Sequence, residues 1–400
     1  MVKSSKLKEI TITMASHYTD PRDFVLHIRA ELLGEYLKKC HGVDFSIGNK
    51  KEAREQCADR FMEFINSQKG DLRDKVFMEL EYINTLSSEN HIAALCAFTP
   101  SINRKEIIEK RSETYDERAL LAFVNFPDEF DTYYSRANIE ELGITELTLP
   151  KVLPVADIAP VNKVRDFEDK VQEVYHSLYK GEKCKIKTFP DGDNLLLRAY
   201  LEDLPTRDVA FEGKQLDEKH IRKPVFDVVF IYKPELKMLG VRALGGKRVV
   251  SDLQKLFCSH FLGISNINTD EPRYSLANIQ DLSKLNLTAE PSYGVERSYL
   301  KSVRLKHRDI PHRVFVDVGS RSQYFGTDAI QKVLNEIGLD KDKNWEVEGI
   351  QITVVFKQVG RGRKKQVSVS ITPPNTCNLK NRPQDDIIRK LLKDWGIYVA

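Results

Sequence analysis

The sequence predicts an α+β protein in which an all-helical N-terminal domain is followed by two antiparallel sheet-plus-helix units. Three observations indicate this class. Apolar residues recur at helical spacing over about the first 150 residues. Further along, short runs of alternating apolar residues are joined by turn-forming segments. Each set of runs is accompanied by an amphipathic helical segment, so that helices are expected to cover the sheets.

The first domain, residues 1–146, is predicted to be an acidic helical bundle. Its clearest helical stripe runs from Phe24 to Leu37, with Pro21 near the start and Gly42 just past the end. Similar stripes recur up to about residue 142. Because each apolar stripe has to be buried, the helices are expected to pack on one another.

A linker and a long helix are predicted next. The stretch LTLPKVLPVADIAP, residues 147–160, carries three prolines. Proline lacks a backbone N–H and disfavours helix in the residue before it, so this stretch is predicted to be a domain linker. An amphipathic helix is predicted over residues 161–179, with Gly181 capping its end.

Residues 161–264 are predicted to form an α+β meander domain. CKIKTF and NLLLRAYL are joined by the turn PDGD, and VFDVVFIY and MLGVRAL are joined by KPELK. A helix over about residues 249–262 follows. These elements predict a four-strand antiparallel meander covered by helices.

The last domain is predicted over residues 299–400, after a polar connection at residues 265–298. Strand-like runs, a helix over residues 327–337 and the hairpin IQITVVFK–QVSVSIT precede a final helix near residues 385–395. This order repeats that of the preceding domain, and it predicts a second sheet covered by helices.

The composition is that of an ordinary globular protein. The chain has 400 residues, of which 41% are apolar and 30% are charged, and no apolar run approaches the roughly 20 residues that a membrane helix needs. No membrane association is therefore expected. The six cysteines show no CxxC pair, which predicts free thiols in a reducing cytoplasm.

The net charge of +3 conceals an asymmetry along the chain. Residues 1–150 contain 20 Lys and Arg against 26 Asp and Glu, whereas the remainder contains 42 against 33. An acidic helical part joined to a basic part indicates that only the second part binds polyanions. Chance variation over a solvated surface is the alternative.

The loop of the last hairpin carries the strongest local charge, in the sequence RGRKK. Period-two alternation in both flanking runs fixes one buried face, so the loop is expected to project into solvent. Such a cationic tip suits contact with phosphate. The alternative is a solubilising turn that protects an edge hairpin. The predicted nucleic-acid-binding residues here are Lys357, Arg361, Arg363, Lys364 and Lys365.

A second basic segment, LGGKRVV, lies between a predicted strand and a predicted helix. Free N–H groups at a helix start attract anions, and Lys247 and Arg248 would reinforce this attraction. The segment lacks the GxxxxGK[ST] spacing of a nucleotide-binding loop. A purely structural turn is the alternative, and a phosphate contact assisting the hairpin loop is the functional interpretation.

A divergent metal-dependent nuclease is the enzymatic alternative. Such a site needs two carboxylates and a lysine on adjacent strands, and Asp191, Asp217 and Lys219 supply these residue types. Both carboxylates fall in predicted loops, which opposes this interpretation. Mg²⁺ is expected only under this alternative, and otherwise no catalytic residue, metal or cofactor is expected.

These observations favour a non-catalytic, intracellular accessory protein that belongs to a larger assembly. The helical domain is expected to bind a protein partner, and the basic part is expected to bind nucleic acid. Handling of foreign or mobile DNA, for example in antiviral defence, fits such an architecture. A protein–protein scaffold without a nucleic-acid ligand is the remaining alternative.

Overall fold

The computed structural model describes most of the chain, in two compact units that span Met1–Glu140 and Glu141–Ala400. The described part of the first unit is helical, and the second unit contains all of the described strands, so the predicted α+β class is confirmed. The described residues are 20–46, 53–68, 70–98, 108, 110–140, 142–158, 160–279, 285–318, 327–339, 344–358 and 364–399.

Seven helices of the first unit have both ends within the described residues. Asp20 caps the first of them by accepting a hydrogen bond from the backbone N–H of Arg22, and Gly42 ends the second with a left-handed φ of 68°. Large side chains such as Tyr36 and Phe61 are fully buried between the helices. The helices are α1 (Pro21–Val25), α2 (Ala30–His41), α3 (Arg54–Ser67), α4 (Leu72–Asn84), α5 (Glu89–Phe98), α6 (Tyr115–Asn125) and α7 (Pro127–Glu140).

The first sheet of the second unit, sheet 1, contains the predicted four-strand meander. The four predicted strands lie in the spatial order β2-β3-β6-β7, and β1 extends the sheet beyond β7; all pairs are antiparallel. The strands are β1 (Thr145–Thr148), β2 (Cys184–Asp191), β3 (Asn194–Glu202), β6 (Val225–Lys233) and β7 (Met238–Arg242).

The segment predicted to be a linker belongs in part to this sheet and its core. Leu147 and Thr148 are the last residues of β1, and the short helix α8 (Val155–Ile158) lies within the same segment. Leu149 and Ile158 are fully buried. Leu147, Leu149 and Ile158 are buried, so this segment packs on the second unit despite its three prolines.

A two-stranded hairpin, absent from the sequence prediction, is inserted between β3 and β6. It consists of β4 (Thr206–Glu212) and β5 (Gln215–Arg222), which pair only with each other. Asp217 was predicted to lie in a loop and instead lies in β5. Strand β5 is exposed over most of its length, so its sequence lacks the alternation of apolar and polar residues that one buried face would impose.

Sheet 2 is a second antiparallel sheet with the order β12-β11-β10-β8-β9. Its longest strand starts at Val295, inside the segment predicted to be a connection. The strands are β8 (Val295–His307), β9 (Arg313–Asp317), β10 (Trp345–Phe356), β11 (Gln366–Thr372) and β12 (Thr376–Cys377).

Helices cover both sheets. Helices α9 (Val161–His176) and α10 (Gly246–Phe257) pack on one face of sheet 1, and α11 (Thr327–Glu336) contacts β8 and β9. The last helix, α12 (Pro383–Asp394), buries Ile388, Leu391 and Leu392 in the core of sheet 2. No helix in the described part of the chain is long and apolar enough to cross a membrane.

Candidate nucleic-acid interface

Three strands of sheet 2 bring cationic residues to the same end of the sheet. Lys357 follows the last residue of β10, and Lys364 and Lys365 precede β11. All three side chains are exposed. The backbone N–H of Phe356 donates to the carbonyl of Lys365 at 2.9 Å, so the two strand ends remain paired up to the loop. Arg361 and Arg363, the other predicted loop cations, lie outside the described residues.

The neighbouring strand β8 adds a cation and an aromatic ring that sequence analysis missed. Arg297 lies directly opposite Val355, which in turn lies opposite Gln366 at the start of β11. The guanidinium of Arg297 is 5.7 Å from the ring centroid of Tyr299, two residues along the same strand. We call Arg297, Tyr299, Lys357, Lys364 and Lys365 the sheet-2 basic end.

The carboxylate of Glu296 partly neutralises the positive charge of the sheet-2 basic end. Lys364 Nζ lies 2.7 Å from Glu296 Oε1, and both side chains are substantially exposed. The hydrogen bond from Lys364 holds the pKa of Glu296 below its ordinary value of 4.5. Exposed ion pairs of this kind are weak and are screened by salt. A phosphate oxygen can therefore replace the carboxylate as the partner of Lys364 without a large energetic cost.

The two glycines of the GGKR segment allow the sharp turn between strand β7 and helix α10. Gly245 and Gly246 both have positive φ, at 110° and 80°, and a Cβ at Gly245 would lie 2.6 Å from Val249 Cγ2. Lys247 forms an exposed ion pair with Asp270, with 2.6 Å between Nζ and Oδ1. Arg248 is exposed at the start of α10. The glycines therefore serve the strand-to-helix turn, and the two cations lie on its surface.

The residues of the nuclease alternative lie in strands of two different sheets. Asp191 is the last residue of β2 in sheet 1, whereas Asp217 and Lys219 lie in the β4–β5 hairpin. The expectation that both carboxylates lie in loops was wrong. Asp217 Oδ1 accepts a hydrogen bond from the backbone N–H of Lys219, and its Oδ2 lies 3.6 Å from His220 Nδ1. Within the described residues no group of three or more His, Cys, Asp or Glu side chains could hold a metal ion.

A buried ionic network joins α12 to sheet 1, and no sequence signal predicted it. Arg389 Nε donates to Glu146 Oε1 at 2.9 Å, and Arg389 Nη1 donates to Asp386 Oδ1 at 3.0 Å. Lys233 Nζ contacts both oxygens of Asp386 at 2.6 Å. Burial raises the pKa of Glu146, but the nearby guanidinium of Arg389 outweighs this effect, so the pKa is lower than its ordinary value. The network holds the charges in fixed pairs and is a structural junction.

Comparison with protein-family models, with curated proteins and with solved structures finds no match for this chain.

Proposed function

We propose that this protein is a non-catalytic accessory protein whose second unit binds nucleic acid through the sheet-2 basic end. The observation that carries this proposal is the convergence of cations from β8, β10 and β11 beside a tyrosine. Cations supply phosphate affinity, and an aromatic ring offers a surface for a base. Binding of this kind requires neither a metal nor a cofactor. The proposed location is the cytoplasm, where the six cysteines remain reduced.

The helical unit is the proposed docking unit for a protein partner. The first 150 residues carry a net negative charge, which disfavours contact with nucleic acid. The helical unit would then bind a protein, and the second unit would bind a polyanion. A role in handling foreign or mobile DNA is the biological setting that we propose for such a subunit.

The first test is a salt series of binding to labelled single- and double-stranded DNA and RNA. Wild type is compared with a loop variant in which four cations of RGRKK are alanine. Each lost phosphate contact flattens the log–log dependence of affinity on salt by about 0.7–0.9. A matched control removes four exposed cations of the helical unit. The loop variant replaces Arg361, Arg363, Lys364 and Lys365, and the control replaces Lys38, Arg54, Arg73 and Lys75.

The salt slope separates the proposal from its alternatives. A slope that falls by two to four contacts in the loop variant, with the control unchanged, supports the proposal. Equal slopes in all three proteins would show that the loop is a solvated turn. Absence of binding by wild type favours the scaffold alternative. Mg²⁺-dependent cleavage that is abolished by Asp191→Ala would instead indicate the nuclease.

A further inference from the structure

The second face of sheet 1 presents a group of charged and aromatic side chains outside the core. Successive residues of a strand point to opposite faces, so the residues that alternate with the core-facing Leu197, Ala199 and Phe230 lie on this second face. Helix α12 covers the part around Lys233 and Glu146. The residues of the part outside this contact are Lys187, Arg198, Tyr200, Asp227 and Arg242, which we call the Tyr200 face.

Strand register aligns three cations of the Tyr200 face in one row across the sheet. Lys187, Arg198, Val229 and Arg242 lie directly opposite one another on consecutive strands. Neighbouring strands are about 4.8 Å apart, so the row extends over about 14 Å. Lys187 is exposed and forms no ion pair with any residue in the described part of the chain. Arg198 and Arg242 both pair with Asp227, and Val229 between them is fully buried, so Lys187 is the exposed cation at one end of this row.

Tyr200 lies beside this row and is contacted by two of its cations. Lys187 Nζ is 5.9 Å from the ring centroid of Tyr200, and Arg198 Cζ is 5.2 Å from it. Asp227, the residue opposite Tyr200 on β6, fixes Arg198 through 2.8 Å contacts to Nε and Nη2. The tyrosine hydroxyl makes no hydrogen bond within the described residues. The Tyr200 ring is half-buried and lies beside these charges, and its hydroxyl is not used in the fold.

We propose that the Tyr200 face is a second binding surface for single-stranded nucleic acid. This inference rests on the proposed function and extends it to a different sheet. An unpaired base can stack on the exposed part of the Tyr200 ring, while Lys187 and the outward edge of Arg198 contact the flanking phosphates. Bases in a duplex are already stacked on each other, so a duplex reaches this face only through its phosphates. Single strands are therefore the ligand that uses both the ring and the cations.

The test is fluorescence anisotropy with a labelled oligothymidylate of about 15 nucleotides and a duplex of the same length. Tyr200→Leu removes the ring and is expected to weaken single-strand binding about 5- to 150-fold, with little effect on the duplex. Tyr200→Phe is the matched control and is expected to bind like wild type, because the hydroxyl has no partner in the fold. Lys187→Ala is expected to flatten the single-strand salt slope by about 0.7.

The outcomes distinguish this inference from the proposed function. If wild type binds no nucleic acid, both proposals fail. If the loop variant loses binding while Tyr200→Leu and Lys187→Ala do not, only the Tyr200 face is refuted. Equal weakening of single strands and duplexes by Tyr200→Leu would refute base stacking. Competition by polyglutamate as strong as that by oligothymidylate would show a general polyanion site. Because Lys187 is exposed, its alanine variant keeps the test valid even if Tyr200→Leu unfolds the sheet.

Discussion

Replacement of Arg389 by methionine is expected to destabilise the second unit by about 3–5 kcal/mol. Arg389 and Glu146 are 5% and 7% exposed, and the guanidinium also donates to Asp386 and to the carbonyl of Lys380 at 2.7 Å. Methionine fills a similar volume but donates no hydrogen bond. The carboxylate of Glu146 would then remain buried without its principal counter-charge, which is the costly half of a broken buried pair.

The expected loss is large compared with the total stability of a typical domain, about 5–15 kcal/mol. A double variant, Glu146→Gln with Arg389→Met, separates loss of the pair from loss of packing. Glutamine is neutral and keeps an acceptor for the hydroxyl of Tyr274, which donates to Glu146 at 3.3 Å. The double variant is therefore expected to be more stable than Arg389→Met alone, with a coupling energy of about 1–3 kcal/mol.

Urea denaturation followed by tryptophan fluorescence measures these differences. Both tryptophans of the chain, Trp345 and Trp395, belong to the second unit, so the signal reports on that unit. The free energy of unfolding is obtained by linear extrapolation for wild type, the single variant and the double variant. A loss below about 1 kcal/mol for Arg389→Met, or a double variant no more stable than the single one, would show that the Glu146–Arg389 pair contributes little to stability.

Three further predictions concern the turn, the acid response and a thiol. Gly245→Ala is expected to lower the free energy of unfolding by about 2–4 kcal/mol, because the new Cβ would clash with Val249. Gly246→Ala is expected to lower it by only about 1–2 kcal/mol, because a Cβ there would lie in open space. Equal losses of the two variants in thermal unfolding would contradict this. Because the folded pKa of Glu146 is lowered, its stabilising contribution is present above its ordinary pKa of 4.5 and is lost as pH falls through the folded pKa. The stability advantage of wild type over the double variant should therefore shrink in acid, and a pH-independent difference in urea titrations would contradict the assignment. Cys258 is fully buried, and burial raises the pKa of its thiol to about 12. Its iodoacetamide alkylation at pH 8, followed by peptide mass spectrometry, should therefore be at least about 100-fold slower than that of an ordinary thiol, and an ordinary rate would contradict this.

The elements that the sequence predicted well are those with one buried face. The meander strands and the long helix α9 alternate at the periods that burial on one side imposes, and the turns between the paired strands contain the expected Gly, Pro and Asp residues. The β4–β5 hairpin is exposed on both faces, so it has no such period. The sequence did not predict strand β1, because prolines follow it closely and its partner β7 lies about 90 residues further along the chain.

The candidate site was predicted in part. Lys357, Lys364 and Lys365 were assigned to a strand end because the flanking alternation is clear. Arg297 and Tyr299 were missed, since β8 shows three register shifts against β10, which break its period-two pattern at this end. The pairing of Glu146 with Arg389 joins residues 243 positions apart, and only the packing of α12 against sheet 1 brings them together.

Nucleic-acid binding by the second unit is best tested by mass-spectrometric mapping of lysine acylation with and without single-stranded oligonucleotide. The expected result is protection of Lys357, Lys364, Lys365 and Lys187 when nucleic acid is bound. Lysines of the acidic helical unit, such as Lys75, are expected to be modified equally in both conditions. Protection confined to the helical unit, or no protection at oligonucleotide concentrations that saturate binding, would contradict the claim that the second unit binds nucleic acid.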